Sequence, residues 1–458
     1  MLYSKRQAWF ALSVLFAINM MNFYDRTIIA AVTEPIRKEW SLSDTDMGIL
    51  GTAFILVYAA VGVPLGRLSD RFSRTKILSG GVTIWSLLTA ASGATWNYGS
   101  MFGARLGVGI GEATCAPAAN SLVGDLFPPQ QRARALSIFM LGLPLGILFS
   151  NWLSGMIVQS AGWRMAFYVA CVPGLICGLC TLFIREPERG QTEQTGAGAT
   201  PGLLAQRPGS PYFLILGTPT IIWIVLSGAL HNFNMYALNS FVPALVVRYY
   251  GLASRSAGFL AGLILGGVGI VGLLLGGWVA DRVQRTRRNG RLLVAGAAML
   301  ISAPCLLIGV SQPPEHEVLF MAWVGGGVML MYVYYAGVYA AIQDVVEPNL
   351  RGTAMALYFF VQYVLGGAFG TYVLGWLSDT FALRAMKAAG QSLVAKRIPE
   401  QFRGVGLHQA MYVVPALCFA LAIVLFAAST TVSRDMQKLT DWYEQATAGA
   451  EPSSPDAT

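Results

Sequence analysis

The chain has 458 residues, a mean hydropathy of +0.56, 55% apolar residues and only 12% charged ones, too oily and charge-poor for a water-soluble protein of this length. A formal charge of +8 is not gathered into one basic patch, so a nucleic-acid partner is not expected. Crossing the hydrocarbon core takes about 20 apolar helical residues, since backbone groups in lipid must bond within their own segment. About twelve stretches qualify: residues 8–31, 48–66, 77–95, 101–122, 135–158 and 166–184, then 218–247, 258–280, 292–310, 318–342, 353–377 and 411–428.

The first stretch contains Asp25 and Arg26, lacks a small-residue cleavage site and precedes further spans, so it reads as a retained helix rather than a signal peptide. With both termini cytoplasmic, inside segments carry about 19 Lys and Arg against about 10 outside, the asymmetry that sets topology. All six cysteines (Cys115, Cys171, Cys177, Cys180, Cys305 and Cys418) fall within expected spans. They read as packing residues, and no metal or other resident cofactor is expected. A Gly-, Thr-, Gln- and Ala-rich stretch without apolar periodicity divides the chain. The organisation expected is an N-terminal six-helix bundle over 1–189, a cytoplasmic linker over 190–211, a C-terminal six-helix bundle over 212–432 and a cytoplasmic tail over 433–458. Within that tail, residues 444–458 look disordered.

The two halves repeat one another. Gly66, Asp70, Arg71 and Arg74 close the second span at the same offsets as Gly277, Asp281, Arg282 and Arg285 close the eighth. Pro129 to Leu136, including Arg134, is echoed by Pro348 to Ala354 ahead of the eleventh span. Paired six-helix repeats place a site near the midplane between them.

The Gly-x-x-x-Asp-Arg-x-x-Arg segment resembles the signature loop of the major facilitator superfamily. Asn22-Phe23-Tyr24-Asp25-Arg26, Arg105 to Ala113, Asp125-Leu126-Phe127, Gln131 to Phe139 and Arg185 to Gly190 resemble the Spinster family of sphingolipid and lysolipid transporters. The superfamily resemblance runs through nearly the whole chain and the Spinster resemblance mainly up to Gly190. It implies an all-α polytopic fold with 12 transmembrane helices in two pseudo-symmetric six-helix bundles, alternating access and proton coupling. It also implies a cytoplasmic latch built from Gly66, Asp70, Arg71, Arg74, Arg134, Asp281, Arg282 and Arg285.

A charge at the bilayer centre costs roughly 3 kcal/mol or more, so charged residues within spans are paired or functional. Asp25, Arg26, Arg105 and Glu112 are expected to form one polar cluster with Asn22. Asp25 and Glu112 would carry protons and the arginines would attract an anionic group; a static ion-pair lock is the alternative. In the fifth span Gly142, Pro144 and Gly146 suit a hinge or close packing. The second half offers His231, Asn232 and Tyr236, then Tyr332, Tyr335, Gln343 and Gln362, with His231 read as structural rather than as a proton carrier. One charged wall facing one aromatic wall suits an amphipathic substrate of lysolipid or sphingolipid type. A proton-coupled porter of a small organic anion is the alternative. A membrane enzyme is disfavoured, since no nucleotide-binding loop, catalytic triad or metal-ligand cluster is visible. A non-transporting sensor would differ in binding without flux. The chain is expected to be a monomer in an inner or plasma membrane.

Overall fold

The computed structural model describes residues 4–127, 129–187, 210–347, 350–393 and 398–448, and among these there is no strand. The side chains of Gly66, Asp70, Arg71 and Arg134, and most of the expected linker, lie outside the described set.

In the first half the helices are α1 (Lys5–Trp40), α2 (Asp44–Arg71), α3 (Arg74–Gly93), α4 (Tyr98–Glu112), α5 (Cys115–Leu126), α6 (Pro129–Met140), α7 (Gly142–Ala161) and α8 (Trp163–Thr181). In the second they are α9 (Pro211–Leu216), α10 (Pro219–Arg248), α11 (Ser254–Gly262), α12 (Val268–Gln284), α13 (Gly290–Val310), α14 (Glu317–Val345), α15 (Arg351–Val361), α16 (Phe369–Ala388), α17 (Glu400–Ala410) and α18 (Val413–Ala448). Side-chain caps begin several of them. Ser4 and Gln7, Ser43 and Asp46, and Asn97 and Ser100 each satisfy exposed N–H groups reciprocally.

Each of the twelve expected spans falls on helix, though not always on one unbroken rod. The fourth is split by a turn at Ala113 and Thr114 into α4 and α5. The fifth breaks at Leu141, because Pro144 has no N–H to offer the carbonyl four residues back. The eighth and eleventh contain π segments, Leu263–Gly267 and Gln362–Ala368, in which an extra residue is fitted into the turn. Nine helical stretches among the described residues are long and apolar enough to cross a membrane. α1 and α3 dilute their apolar runs with polar side chains, and the fourth span is divided, so composition alone undercounts them.

Two further differences stand out. The loop before the last span folds its end into α17. α18 continues to Ala448, so residues 444–448 are helical rather than disordered; helix-favouring Glu, Gln and Ala dominate there, and just before them Gln437 bonds Asp441 one turn on.

Apolar burial falls into two cores. One joins residues from Ala8 to Ile184, with Ala368 reaching in. The other joins residues from Ile215 to Val432, with Ile147 reaching in. Ile84, Leu87, Phe183, Leu274, Trp278, Ile301 and Ile423, all more than half exposed, form an outer surface suited to lipid. Beyond the repeat seen in the sequence, the two halves share a pattern of contacts. Arg74, first residue of α3, pairs with Asp125 near the end of α5, and Arg291 at the start of α13 pairs with Asp344 near the end of α14 at 2.5 Å.

Candidate substrate cavity and gate

α1 and α10 begin on one face of the molecule, called here the terminal face, and end on the opposite, distal face. Between the halves lies a cavity with about 1020 Å³ of open space, part of it continuous with solvent. Phe23, Arg26, Phe54 and Arg105 line one wall; Asn232, Tyr236, Tyr335, Tyr339, Gln362 and Tyr363 line the other. The π segment at Gln362–Ala368 brings Gln362 and Tyr363 to that wall.

The four buried charges do come together, in two layers. Arg26 and Arg105 face the cavity, whereas Asp25, Glu112 and Asn22 stand behind it. Arg26 Nε donates to Glu112 Oε2 at 2.8 Å, and Asn22 Nδ2 donates to the same oxygen at 3.2 Å. Glu112 Oε1 has no bonding partner. Arg105 Nη2 donates to the backbone oxygen of Asp25 at 3.0 Å rather than to its carboxylate, whose two oxygens are unbonded. The guanidinium of Arg26 lies 4.0 Å from the ring centre of Tyr58, and that of Arg105 lies 5.0 Å from Phe54. These rings stabilise the cations on their cavity side.

In the second half Asn232, Tyr236, Tyr335 and Gln362 reach the cavity, and three expected residues do not. His231 bonds the Met331 carbonyl at 3.0 Å and stacks on Tyr334. The Tyr332 hydroxyl donates to the Leu265 carbonyl at 2.7 Å. Gln343 is exposed near the end of α14. Their helices bury the first two in the bundle interior, and Gln343 lies past the cavity's depth. In the fifth span Gly142 and Gly146 lie so close to α1 that a Cβ on either would meet Met20 backbone, at 2.8 and 2.4 Å. Close packing accounts for both glycines.

Among the signature-loop residues, Arg74 joins parts of its own half. It pairs with Asp125, donates to Glu186 Oε1 at 2.8 Å and to the Pro187 carbonyl at 2.8 Å. Burial alone would raise the Glu186 carboxyl, but bonds from Arg74, Thr75 and Ser73 outweigh it and push it down to about 2. Asp281 likewise accepts from Arg291 at 3.3 Å within the second half, while Arg282 lies over Trp278 and Arg285 is exposed.

The ion pairs recorded between one half and the other are on the distal face, and the sequence reading missed them. Arg248 at the end of α10 forks onto Asp44 at 2.6 and 2.7 Å and reaches Glu34 of α1 at 2.6 Å. Arg37 of α1 forks onto Glu400 of α17 at 2.9 and 2.6 Å. Asp379 of α16 caps α2 from across the interface, accepting from the backbone N–H of Thr45 at 2.8 Å and of Asp44 at 3.2 Å. Glycines let the backbones close around this network. A Cβ on Gly375 would lie 2.4 Å from the Asp44 carbonyl, and one on Gly258 would lie 2.4 Å from that of Asn151. At span ends these charges pass for surface residues; the available signal was that Glu34, Asp44, Asp379 and Glu400 match the arginines of the same loops.

The sequence profile of the Major Facilitator Superfamily matches residues 15–371. An MFS-type efflux pump of Mycolicibacterium smegmatis is 30% identical over 92% of this chain and 94% of its own. A sphingosine-1-phosphate transporter of Danio rerio is 29% identical over 79% of this chain and 74% of its own. The crystal structure of a bacterial homolog of the human lysosomal transporter Spinster, inward-facing and unoccupied, superposes with a TM-score of 0.82 at 26% identity, covering 94% of this chain and 99% of that one.

Proposed function

The chain belongs to the Major Facilitator Superfamily and is a multi-pass membrane transporter related to the Spinster proteins, not an enzyme; from that premise we propose that it carries an amphipathic anion of lysolipid or sphingoid type, coupled to protons. The observation that carries the reading is the double duty of Arg26, which lines the cavity and holds the one bonded oxygen of Glu112. An anionic headgroup entering the cavity competes with Glu112 for this cation. Glu112, fully buried, then loses the one arginine bonded to it, and a buried carboxylate so weakened in its pairing takes up a proton. Departure of the headgroup reverses the exchange. Arg105 holds the head from the side, and the rings of Phe23, Phe54, Tyr236 and Tyr335 receive the apolar body.

The excess of Lys and Arg on the terminal face supports a cytoplasmic assignment for that face. The sealed distal face then corresponds to the inward-facing state, like that of the Spinster homolog. Export agrees with the efflux pump among the relatives. The aromatic wall favours a lipid body over a small carboxylate, which a sealed polar chamber would suit better.

The test is flux of fluorescently labelled sphingosine-1-phosphate and lysophosphatidylethanolamine, against radiolabelled lactate, in proteoliposomes with and without a pH gradient. Gradient-driven lipid flux that is lost in Glu112→Gln and Asp25→Asn is expected. Lactate flux alone would favour the small-anion porter, and gradient-driven flux unchanged in both variants would exclude the coupling scheme.

A further inference from the structure

Among the described residues of the first half, eight buried polar side-chain atoms have no hydrogen-bond partner, and all but Asn151 Oδ1 on α7 lie on α1, α3 and α4: both carboxylate oxygens of Asp25, Trp85 Nε1, Ser86 Oγ, Thr89 Oγ1, Arg105 Nη1 and Glu112 Oε1. Buried polar atoms are satisfied in more than about nine cases in ten, so a concentration of this kind needs an occupant. Their positions supply a shared place. Trp85 Nε1 lies beside the Asp25 carboxylate without reaching bonding geometry. Ser86, the next residue on α3, projects onto Gly174 of α8, where a Cβ would come within 2.2 Å of its hydroxyl. Thr89 follows one turn further along α3.

Asp25 itself, 0% exposed, does not line the cavity although Phe23, Arg26 and Thr27 do. Helical geometry turns Asp25 about 100° away from Arg26, toward α3 and α8. The titratable and charged groups facing it are Tyr24 on its own helix, Arg105 and Glu112 on α4, and Cys171 on α8. α3 presents Trp85 there, with Ser86 turned to α8 and Thr89 one turn along the same helix.

We propose that water occupies a compartment bounded by α1, α3, α4 and α8, behind the cavity wall, and that Asp25 exchanges protons with this water rather than with the solvent of the substrate cavity. The donors and acceptors suit water: a carboxylate and Glu112 Oε1 accept, the Trp85 indole and Arg105 Nη1 donate, and two hydroxyls do either. Arg105, whose Nη2 holds the Asp25 backbone, separates the compartment from the cavity it also lines. Proton and substrate would thus approach the charged cluster from opposite sides of one wall. The proposal rests on the proton-coupled reading above for its purpose, but not for its test.

Infrared difference spectroscopy of the full chain in lipid nanodiscs, titrated with pH in H₂O and D₂O, reads Asp25 without any substrate. A carboxyl band absent from Asp25→Asn and shifted by D₂O is expected. Removing both hydroxyls with Ser86→Ala and Thr89→Val should move its titration midpoint by about one pH unit, roughly tenfold in proton affinity. Thr89→Ser, which keeps a hydroxyl, should leave it in place. A band insensitive to D₂O, a midpoint unmoved by loss of the hydroxyls, or no titrating Asp25 band at all would overturn the compartment. If the compartment passes and Asp25→Asn and Glu112→Gln nevertheless retain gradient-driven lipid flux, the coupling scheme has failed and the water site stands.

Discussion

The two faces of the transporter use similar charged residues to opposite ends. On the distal face Arg37 and Arg248 reach acids of the other half, and Asp379 caps a helix that is not its own. On the terminal face Arg74 and Arg291 reach acids of their own half. Ion pairs within a bundle survive when the bundles move as bodies; pairs between bundles must be remade in every cycle. The contrast therefore separates residues that build the halves from residues that set which state they occupy.

The sharpest way to break this contrast is Arg248→Ala. It strips the paired arginine from Asp44, buried at 1% exposure, and leaves Glu34 with Arg37 alone; an uncompensated buried charge costs about 3–5 kcal/mol. Spin labels placed across the distal ends of α2 and α16 should move apart, with the population shifted toward the distally open state. Arg74→Ala should instead lower the melting temperature and leave that distance unchanged.

Gly375→Ala tests the steric side with a smaller effect. Its new Cβ meets backbone at the Asp44 carbonyl, so α16 must retreat from α2 at a cost of about 1–3 kcal/mol, and the same distance should lengthen partially. The smallest effect is titration of Glu186. Its carboxyl is depressed from 4.5 to about 2 in the folded protein, so its contribution is fully present above pH 4.5 and fades as pH falls toward 2. Melting of detergent-solubilised protein across that window should depend on pH less steeply in Glu186→Gln than in the natural chain.

The architecture was legible because period and length carry it: twelve apolar stretches, a polar divide and a repeated turn pattern place the helices without tertiary knowledge. The charged cluster was legible for a related reason, since Asp25, Arg26, Arg105 and Glu112 interrupt apolar runs where charge is costly. Its layering was not. That Arg26 faces the cavity while Asp25 faces α3 depends on the rotation of α1 against its neighbours, which no spacing within one helix reports. Tyr332 and His231 were grouped with the cavity wall for the same reason, although His231 has the structural hydrogen bond expected of it; both bond to backbone carbonyls of the bundle interior. The distal network was hidden because its members sit at helix ends, where charge costs little before the halves meet.

The cap that Asp379 places on α2 has a bearing on how easily the halves part. The N–H groups it holds, on Asp44 and Thr45, belong to the first turn of α2. When α16 swings away, solvent can take over the same donors, and Ser43 with Asp46 keeps the rest of the first turn in place. Parting then trades one set of hydrogen bonds for another and leaves no frayed helix end to repair, so the seal can be made and unmade through successive transport cycles without unwinding the helix it clasps.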